Sequence, residues 1–222
     1  YINYKIKNQG FHHTLRNKLH YIISTNIYLL EKSEKRENPK TFDIIHKKYI
    51  FMGDLKFLYL KKDNKKFTTL TLAIVSARQN EFMIHLPYIK HLIDRYPFIK
   101  IIYIPRYLNW LDNFKQQIQN MDYIFIKDID NIDNVSTCNL QVCWKFGLVN
   151  TILSKSHICL MGNTFNGGGG HNLIEPAINK NTIITGPDTH TCQNQVNILN
   201  IIKTNTISEL ISNTCEIINE KK

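Results

Sequence analysis

From residue 67 onward the chain alternates short runs of apolar, β-branched residues with longer amphipathic runs, and this alternation limits the fold more than any other feature. The apolar runs lie at 70–75, 99–104, 123–126, 158–161 and 182–185. They have the length of strands, and the segments 81–96 and 108–118 between them carry helical spacing, with a closing amphipathic helix over 207–218. Strand then helix, repeated, predicts an α/β fold built on a doubly wound parallel sheet. Ligands of such sheets sit at the carboxyl ends of the strands. Four of the five predicted strands run into something polar or turn-forming there: Ser76-Ala77-Arg78, Pro105-Arg106, a glycine run after 158–161, and Gly186-Pro187-Asp188.

The glycine run carries the most chemistry. Phe165-Asn166-Gly167-Gly168-Gly169-Gly170-His171-Asn172 leads into Leu173-Ile174-Glu175-Pro176-Ala177, which reads as the first turns of a helix. Consecutive glycines let a backbone approach a ligand closely, and a helix start offers unpaired N–H groups and a positive dipole end. The expected occupant is a phosphate or carboxylate, surrounded by Gly168, Gly169 and Gly170. His171, Asn172 and Glu175 follow within one helical turn, and Glu175 is suited to accept hydrogen bonds from a pair of sugar hydroxyls. The competing reading is a flexible loop without a ligand. Arg106, at the end of a predicted strand after Pro105, either forks onto a phosphate or pairs with a surface carboxylate. Ser76 and Glu81 fit ordinary capping chemistry.

The net charge of +10 is unevenly placed: residues 1–66 hold 15 Lys and Arg against 6 Asp and Glu, and residues 67–222 hold 13 against 12. The surplus of nine in the first segment either attracts phosphates and anionic headgroups or reflects an AT-rich genome that favours Lys, Asn and Ile. No RNA-binding motif or aromatic platform accompanies it, so nucleic acid is not an expected partner. Residues 19–30 read as a helix passing into a strand, 31–40 as a charged helix or loop, and 49–53 as a strand ending in a turn. The polar break at 61–66 marks an expected domain boundary, with 1–60 and 61–222 on either side. Five cysteines form no CxxC pair and no metal-ligand cluster stands out, so neither metal nor cofactor is expected and the thiols read as free, in a reducing cytosol. No apolar run has the length to cross a bilayer. The chain opens on Tyr1 and is expected to be a piece whose beginning lies elsewhere.

Gly169-Gly170-His171-Asn172-Leu173-Ile174-Glu175-Pro176-Ala177 resembles the Gly-Gly-His-Asn-Pro-Leu-Glu-Pro-Ala element of bacterial 3-deoxy-D-manno-octulosonic acid (Kdo) transferases, glycosyltransferases of the two-domain GT-B type. Gly53-Asp54-Leu55-Lys56-Phe57 resembles the Gly-Asn-Leu-Lys-Phe element at that family's domain junction, and Ile104-Pro105-Arg106-Tyr107 its strand ending in Pro-Arg-His. Ser76-Ala77-Arg78-Gln79-Asn80-Glu81 resembles Ser-Thr-His-Pro-Gly-Glu, and Gly186-Pro187 with Asn194 a further Gly-Pro and Asn. The resemblance implies a Rossmann-like C-terminal domain over 61–222 that holds CMP-Kdo, preceded over 1–60 by the tail of the acceptor-side domain and a hinge. It implies Arg106 on the donor phosphate, the Gly167–Asn172 backbone around it, and Glu175 on the ribose hydroxyls. The acceptor would be the lipid A precursor, at the anionic cytoplasmic face of the bacterial inner membrane.

Several positions depart from the family pattern, and four of these changes bear on the site. Gly147-Leu148-Val149 stands where the family has Gly-Glu-Leu, Tyr107 and Arg78 stand for histidines, and Leu173 for a proline. The family's general base would lie in the acceptor-side half, so no catalytic residue is assigned within this chain. By itself the chain is expected to bind donor weakly or not at all and not to turn over, its missing half coming from a separate polypeptide or an upstream segment. Two alternatives stay open: a degenerate, non-catalytic remnant with a binding role, and another nucleotide-sugar enzyme of the same architecture.

Overall fold

The computed structural model describes residues 66–126 and 138–221, together with two short strands nearer the start. The chain divides into two compact units, Tyr1–Leu60 and Lys61–Lys222. In the first, β1 (Ile22–Ser24) pairs in parallel with β2 (Tyr49–Phe51), Ile22 opposite Tyr49 and Ser24 opposite Phe51. The charged stretch 31–40, the junction element 53–57 and the break at 61–65 lie outside the described residues.

The second unit is a seven-stranded, all-parallel sheet in the order β5-β6-β4-β3-β7-β8-β9. Its strands are β3 (Thr71–Ala77), β4 (Lys100–Pro105), β5 (Tyr123–Phe125), β6 (Leu140–Val142), β7 (Ile158–Met161), β8 (Thr182–Thr185) and β9 (Ile201–Lys203). The helices between them are α1 (Phe82–Arg95), α2 (Leu111–Gln117), α3 (Val149–Lys155), α4 (Ile174–Ile178), α5 (Gln193–Ile198) and α6 (Ile207–Glu220). Parallel strands need crossovers, and crossovers cover both faces, so the central strands read as unbroken apolar runs. Side chains still alternate between faces. Leu72 and Ile74, Ile101 and Tyr103, and Ile158 and Leu160 point to one core with Phe82, Tyr88, Ile89 and Leu92 of α1, Phe114 of α2 and Leu210, Ile217 and Ile218 of α6. Ala73 and Val75, Ile102 and Ile104, and Cys159 and Met161 point to the other, with Ile152 and Leu153 of α3 and Leu173. Tyr88 Oη and Thr214 Oγ1, 3.0 Å apart, tie α1 to α6 inside the first core.

The doubly wound parallel sheet is thus as predicted, and two strands, 158–161 and 182–185, match to the residue. The strands β6 and β9 and the helices α3 and α5 were not anticipated. β6 has the polar Gln141 at its centre and β9 ends in Lys203 at a partly exposed edge, so neither stands out as an apolar run.

Two local distortions shape the rim at the carboxyl ends. Ser76 has φ 58°, a left-handed backbone rare outside glycine, and it breaks the register of β3 against β4 between Val75 and Ala77. Gly162, directly after β7, donates its N–H to Val75 O at 2.8 Å and lies flat against this bulge. A Cβ at Gly162 would stand 2.5 Å from Ala77 Cα and 2.6 Å from its nitrogen. Gly162→Ala should therefore lower stability by about 1–3 kcal/mol, because both contacts are backbone and cannot rotate away. Urea unfolding reads this directly, and an unshifted midpoint would contradict the close approach.

Candidate functional site

The sheet order places a topological switch between β3 and β7. From β3 the chain builds to one side through β4, β5 and β6, then crosses to β7 on the other side. The segments leaving β3 and β7 therefore diverge and frame a crevice at the carboxyl rim. After β3 comes a single 3-10 turn, Gln79–Glu81, and after β7 comes the glycine loop.

Glu81 joins the two. Its side chain is fully buried, and its carboxylate accepts four backbone N–H groups: Arg78 at 3.2 Å, Thr164 at 2.8 Å, Phe165 at 3.0 Å, and Asn163 in a shorter contact. A buried carboxylate is costly unless its lone pairs are filled, and here four amide dipoles fill them. The capping role read from sequence is present in the bond to Arg78. The three bonds to the loop were not foreseen, because the partners lie 82 to 84 residues away.

Further side chains complete the loop. Asn163, buried and left-handed at φ 63°, donates Nδ2 to Gly168 O at 2.7 Å and accepts the Gly170 N–H on its own carbonyl at 2.7 Å. Asp188 Oδ2 accepts the Gly169 N–H at 2.9 Å, while Asp188 Oδ1 lies 2.6 Å from His190 Nδ1. Burial raises the Asp188 pKa, but the bonds from His190 and Gly169 outweigh it and the net shift is downward. Thr191 Oγ1 reaches the carbonyls of Gly169 and Gly170 at 2.7 and 2.8 Å. Gly169 and Gly170 both have φ 79°, which explains why only glycine serves there. The run is a tied, shaped segment, not a slack loop.

This arrangement corrects part of the sequence expectation. The amides of Gly169 and Gly170 face inward to Asp188 and Asn163, which leaves Gly167 and Gly168 as the glycines whose amides no internal acceptor takes among the described residues. The helix behind the loop has only five residues, and its first amides are capped, Leu173 N–H by Gln195 Oε1 at 2.6 Å and Ile174 N–H by Asn172 Oδ1 at 3.1 Å. Two N–H groups at the start of this helix are therefore already taken. Asn172 Nδ2 donates to Glu175 Oε1 at 3.0 Å, so the half-buried Glu175 is oriented and keeps lone pairs for another donor. His171 is half-buried beside it.

Pro105 is the buried last residue of β4, and Arg106 stands exposed after it. The Arg106 N–H donates to Ala77 O at 2.8 Å, and its guanidinium has no ion pair among the described residues, against the surface-pair reading. Since β3 alone separates β4 from β7, Arg106 and the glycine loop leave strands two spacings apart on one rim, roughly 10 Å. Where the resembled family carries a carboxylate, Leu148 instead packs against the second core.

Beneath the loop lies an aromatic floor. Phe82 and Tyr103 meet edge to face at 5.3 Å, and His85 stands 6.1 Å from both Tyr103 and Phe165. His85 is fully buried and neither ring nitrogen has a hydrogen-bond partner. Burial pushes its pKa down to about 4, against the opposing pull of Glu81.

No family model matches the chain. It is similar to 3-deoxy-D-manno-octulosonic acid transferases of Aquifex aeolicus, 25% identical over 167 residues covering 74% of this chain and 45% of the relative, and of Rickettsia prowazekii, 26% identical over 205 residues covering 84% and 43%. It is also similar to a bifunctional glycosyltransferase/methyltransferase of Fusobacterium nucleatum, 27% identical over 205 residues covering 86% of this chain and 31% of the relative. The chain thus spans less than half the length of these relatives. Its fold matches that of the C-terminal CMP-Kdo binding domain of WaaA from Acinetobacter baumannii, with a TM-score of 0.58 and 18% identity over 76% of this chain and 86% of that one.

Removing the Glu81 carboxylate strands several buried amides at once. Glu81→Ala should cost about 3 kcal/mol or more in urea unfolding, well beyond an exposed cap, and a loss within about 1 kcal/mol would mean that the clamp does not hold the loop. His85 gives a pH signature. Its folded pKa near 4 lies below the ordinary 6.5, so the unfolded chain binds the proton first and stability falls as pH drops from about 6.5 to about 4. The loss should approach about 3 kcal/mol, and His85→Leu should flatten the profile across that window.

Proposed function

We propose that residues 61–222 form the donor-binding half of a glycosyltransferase that moves Kdo from CMP-Kdo to the lipid A precursor, and that residues 1–60 belong to the acceptor-side half and hinge. The similarity to Kdo transferases over most of the chain supports the reaction class. The observation that carries the site is a glycine loop fastened by Glu81 at the switch of a parallel sheet, with Arg106 unneutralised on the same rim.

In this reading the two anionic parts of the reaction meet fixed donors. Arg106 forks onto the donor phosphate and stabilises the charge that develops as CMP departs, while the open amides of Gly167 and Gly168 line the same anion. Glu175, oriented by Asn172, accepts the ribose hydroxyls. His171 lies beside them. The base that takes the acceptor proton is assigned to the acceptor-side half, so donor binding and turnover are separate steps and donor binding can be read by itself. Among the described residues no helix is long and apolar enough to cross a membrane, and the basic segment 1–66 suits peripheral attraction to anionic headgroups at the cytoplasmic face. A second reading, a non-catalytic remnant that retains the fold, is favoured by one observation: Leu148 packs apolar where the resembled family has a carboxylate.

Saturation-transfer NMR with CMP detects weak binding and tests the site. Wild type should show transfer to the cytidine protons, and Arg106→Ala and Glu175→Ala should each weaken binding about tenfold or more, as expected for a lost charge-assisted hydrogen bond. Equal signals from all three proteins would remove Arg106 and Glu175 from the site, and a stronger response to UMP than to CMP would point to another nucleotide sugar.

A further inference from the structure

A second cation shares the rim with Arg106. Register pairs Ala77 with Pro105 across β3 and β4, and the next residues on each strand are Arg78 and Arg106. The Arg106 N–H bonds to Ala77 O, so the two arginines leave neighbouring strand ends about one inter-strand spacing apart, roughly 5 Å.

Neither guanidinium meets a carboxylate among the described residues. Glu81, the acid closest to Arg78 in sequence, gives its oxygens to four backbone amides, one of them that of Arg78 itself. The Arg78 side chain is nevertheless held in place. Its guanidinium lies 5.7 Å above the ring of Tyr107, and its Nε is buried without an acceptor. An arginine stacked on an aromatic face keeps its other donors pointed outward in a fixed plane, ready for a planar acceptor. Two unneutralised cations that leave neighbouring strand ends favour a ligand carrying two anionic groups close together.

On the donor reading above, we propose that Arg78 determines donor specificity: it takes the sugar carboxylate while Arg106 takes the phosphate. In a CMP-linked 2-ulosonic acid, the anomeric carbon bears both the phosphate oxygen and the carboxylate, so one molecule offers two anions to two neighbouring arginines. A nucleotide sugar without the acid leaves the Arg78 guanidinium unmatched at the crevice, and that imbalance discriminates against it. Tyr107 acts as a positioning residue, setting the plane of Arg78. Both positions differ from the histidines of the resembled family, and in this chain the two replacements touch each other.

The test compares CMP with CMP-Kdo by NMR titration of wild type, Arg78→Met, Arg78→Lys and Tyr107→Leu. Wild type should bind CMP-Kdo about tenfold or more tighter than CMP, a difference in keeping with one charge-assisted pair. Arg78→Met should abolish that advantage with CMP affinity changed by no more than about threefold, Arg78→Lys should restore part of it, and Tyr107→Leu should reduce it with CMP unaffected. The assignment is overturned if Arg78→Met keeps the advantage or weakens both ligands equally. A wild type that ignores CMP altogether overturns the donor reading and this assignment with it, whereas CMP binding without an Arg78 effect overturns the assignment alone.

Discussion

One buried carboxylate holds the functional end of this sheet together. Glu81 takes amides from both sides of the switch point, its own turn after β3 and the loop after β7. Ordering loop backbone costs about 1–2 kcal/mol per residue, whereas a neutral hydrogen bond contributes about 1 kcal/mol net. A loop of this length is therefore not fixed by ordinary contacts alone. A charged acceptor shared among four donors, away from water, is one of the few interactions strong enough, and Asn163, Asp188 and Thr191 complete what it begins. The close approach of Gly162 to Ala77 belongs to the same device, since it brings the exit of β7 within reach of the turn after β3.

The tethering decides what the glycines can do. A slack glycine loop would have to be ordered by its ligand, which subtracts that cost from affinity. Here the order is already present, and the internal bonds select which amides stay outward. The amides of the glycines at 169 and 170 are taken up by the loop's own fold, and those at 167 and 168 have no internal acceptor among the described residues. A run of identical residues thus divides according to partner, a division set by Asp188 and Asn163 and not by anything in the run itself.

The architecture was largely legible in the sequence, for a physical reason. Strands covered on both faces must be apolar along their whole length, so β3, β4, β7 and β8 announce themselves as runs. β6 is interrupted by the polar Gln141 and β9 is a partly exposed three-residue strand ending in Lys203, so neither reads as such a run. For the site, composition pointed to the glycine loop and to Arg106, because glycine runs and strand-end arginines are local features. It did not reveal Glu81, since a glutamate that caps its own turn and one that also clamps a distant loop look alike until the sheet brings them together. The direction of the Gly169 and Gly170 amides was equally out of reach, being set by side chains from the loop after β8. The resemblance to Kdo transferases agreed with the relatives found, while the internal partners of the Leu173 and Ile174 amides at the start of the short α4 lay beyond local reading.

The aromatic residues under the loop explain why the clamp is effective. Hydrogen bonds to a carboxylate weaken in water and strengthen where the surroundings are apolar. Phe82, Tyr103 and Phe165 close the space around Glu81, and His85, buried without a partner, stands among them as a neutral ring. A floor of aliphatic residues would exclude water equally well. A histidine there instead adds a group that acquires charge only at the expense of the packing, and its positive form would stand beside the carboxylate that fastens the loop. The same low-dielectric floor that makes the clamp strong therefore keeps His85 neutral, and the order of the loop and the neutral state of His85 are two consequences of one burial.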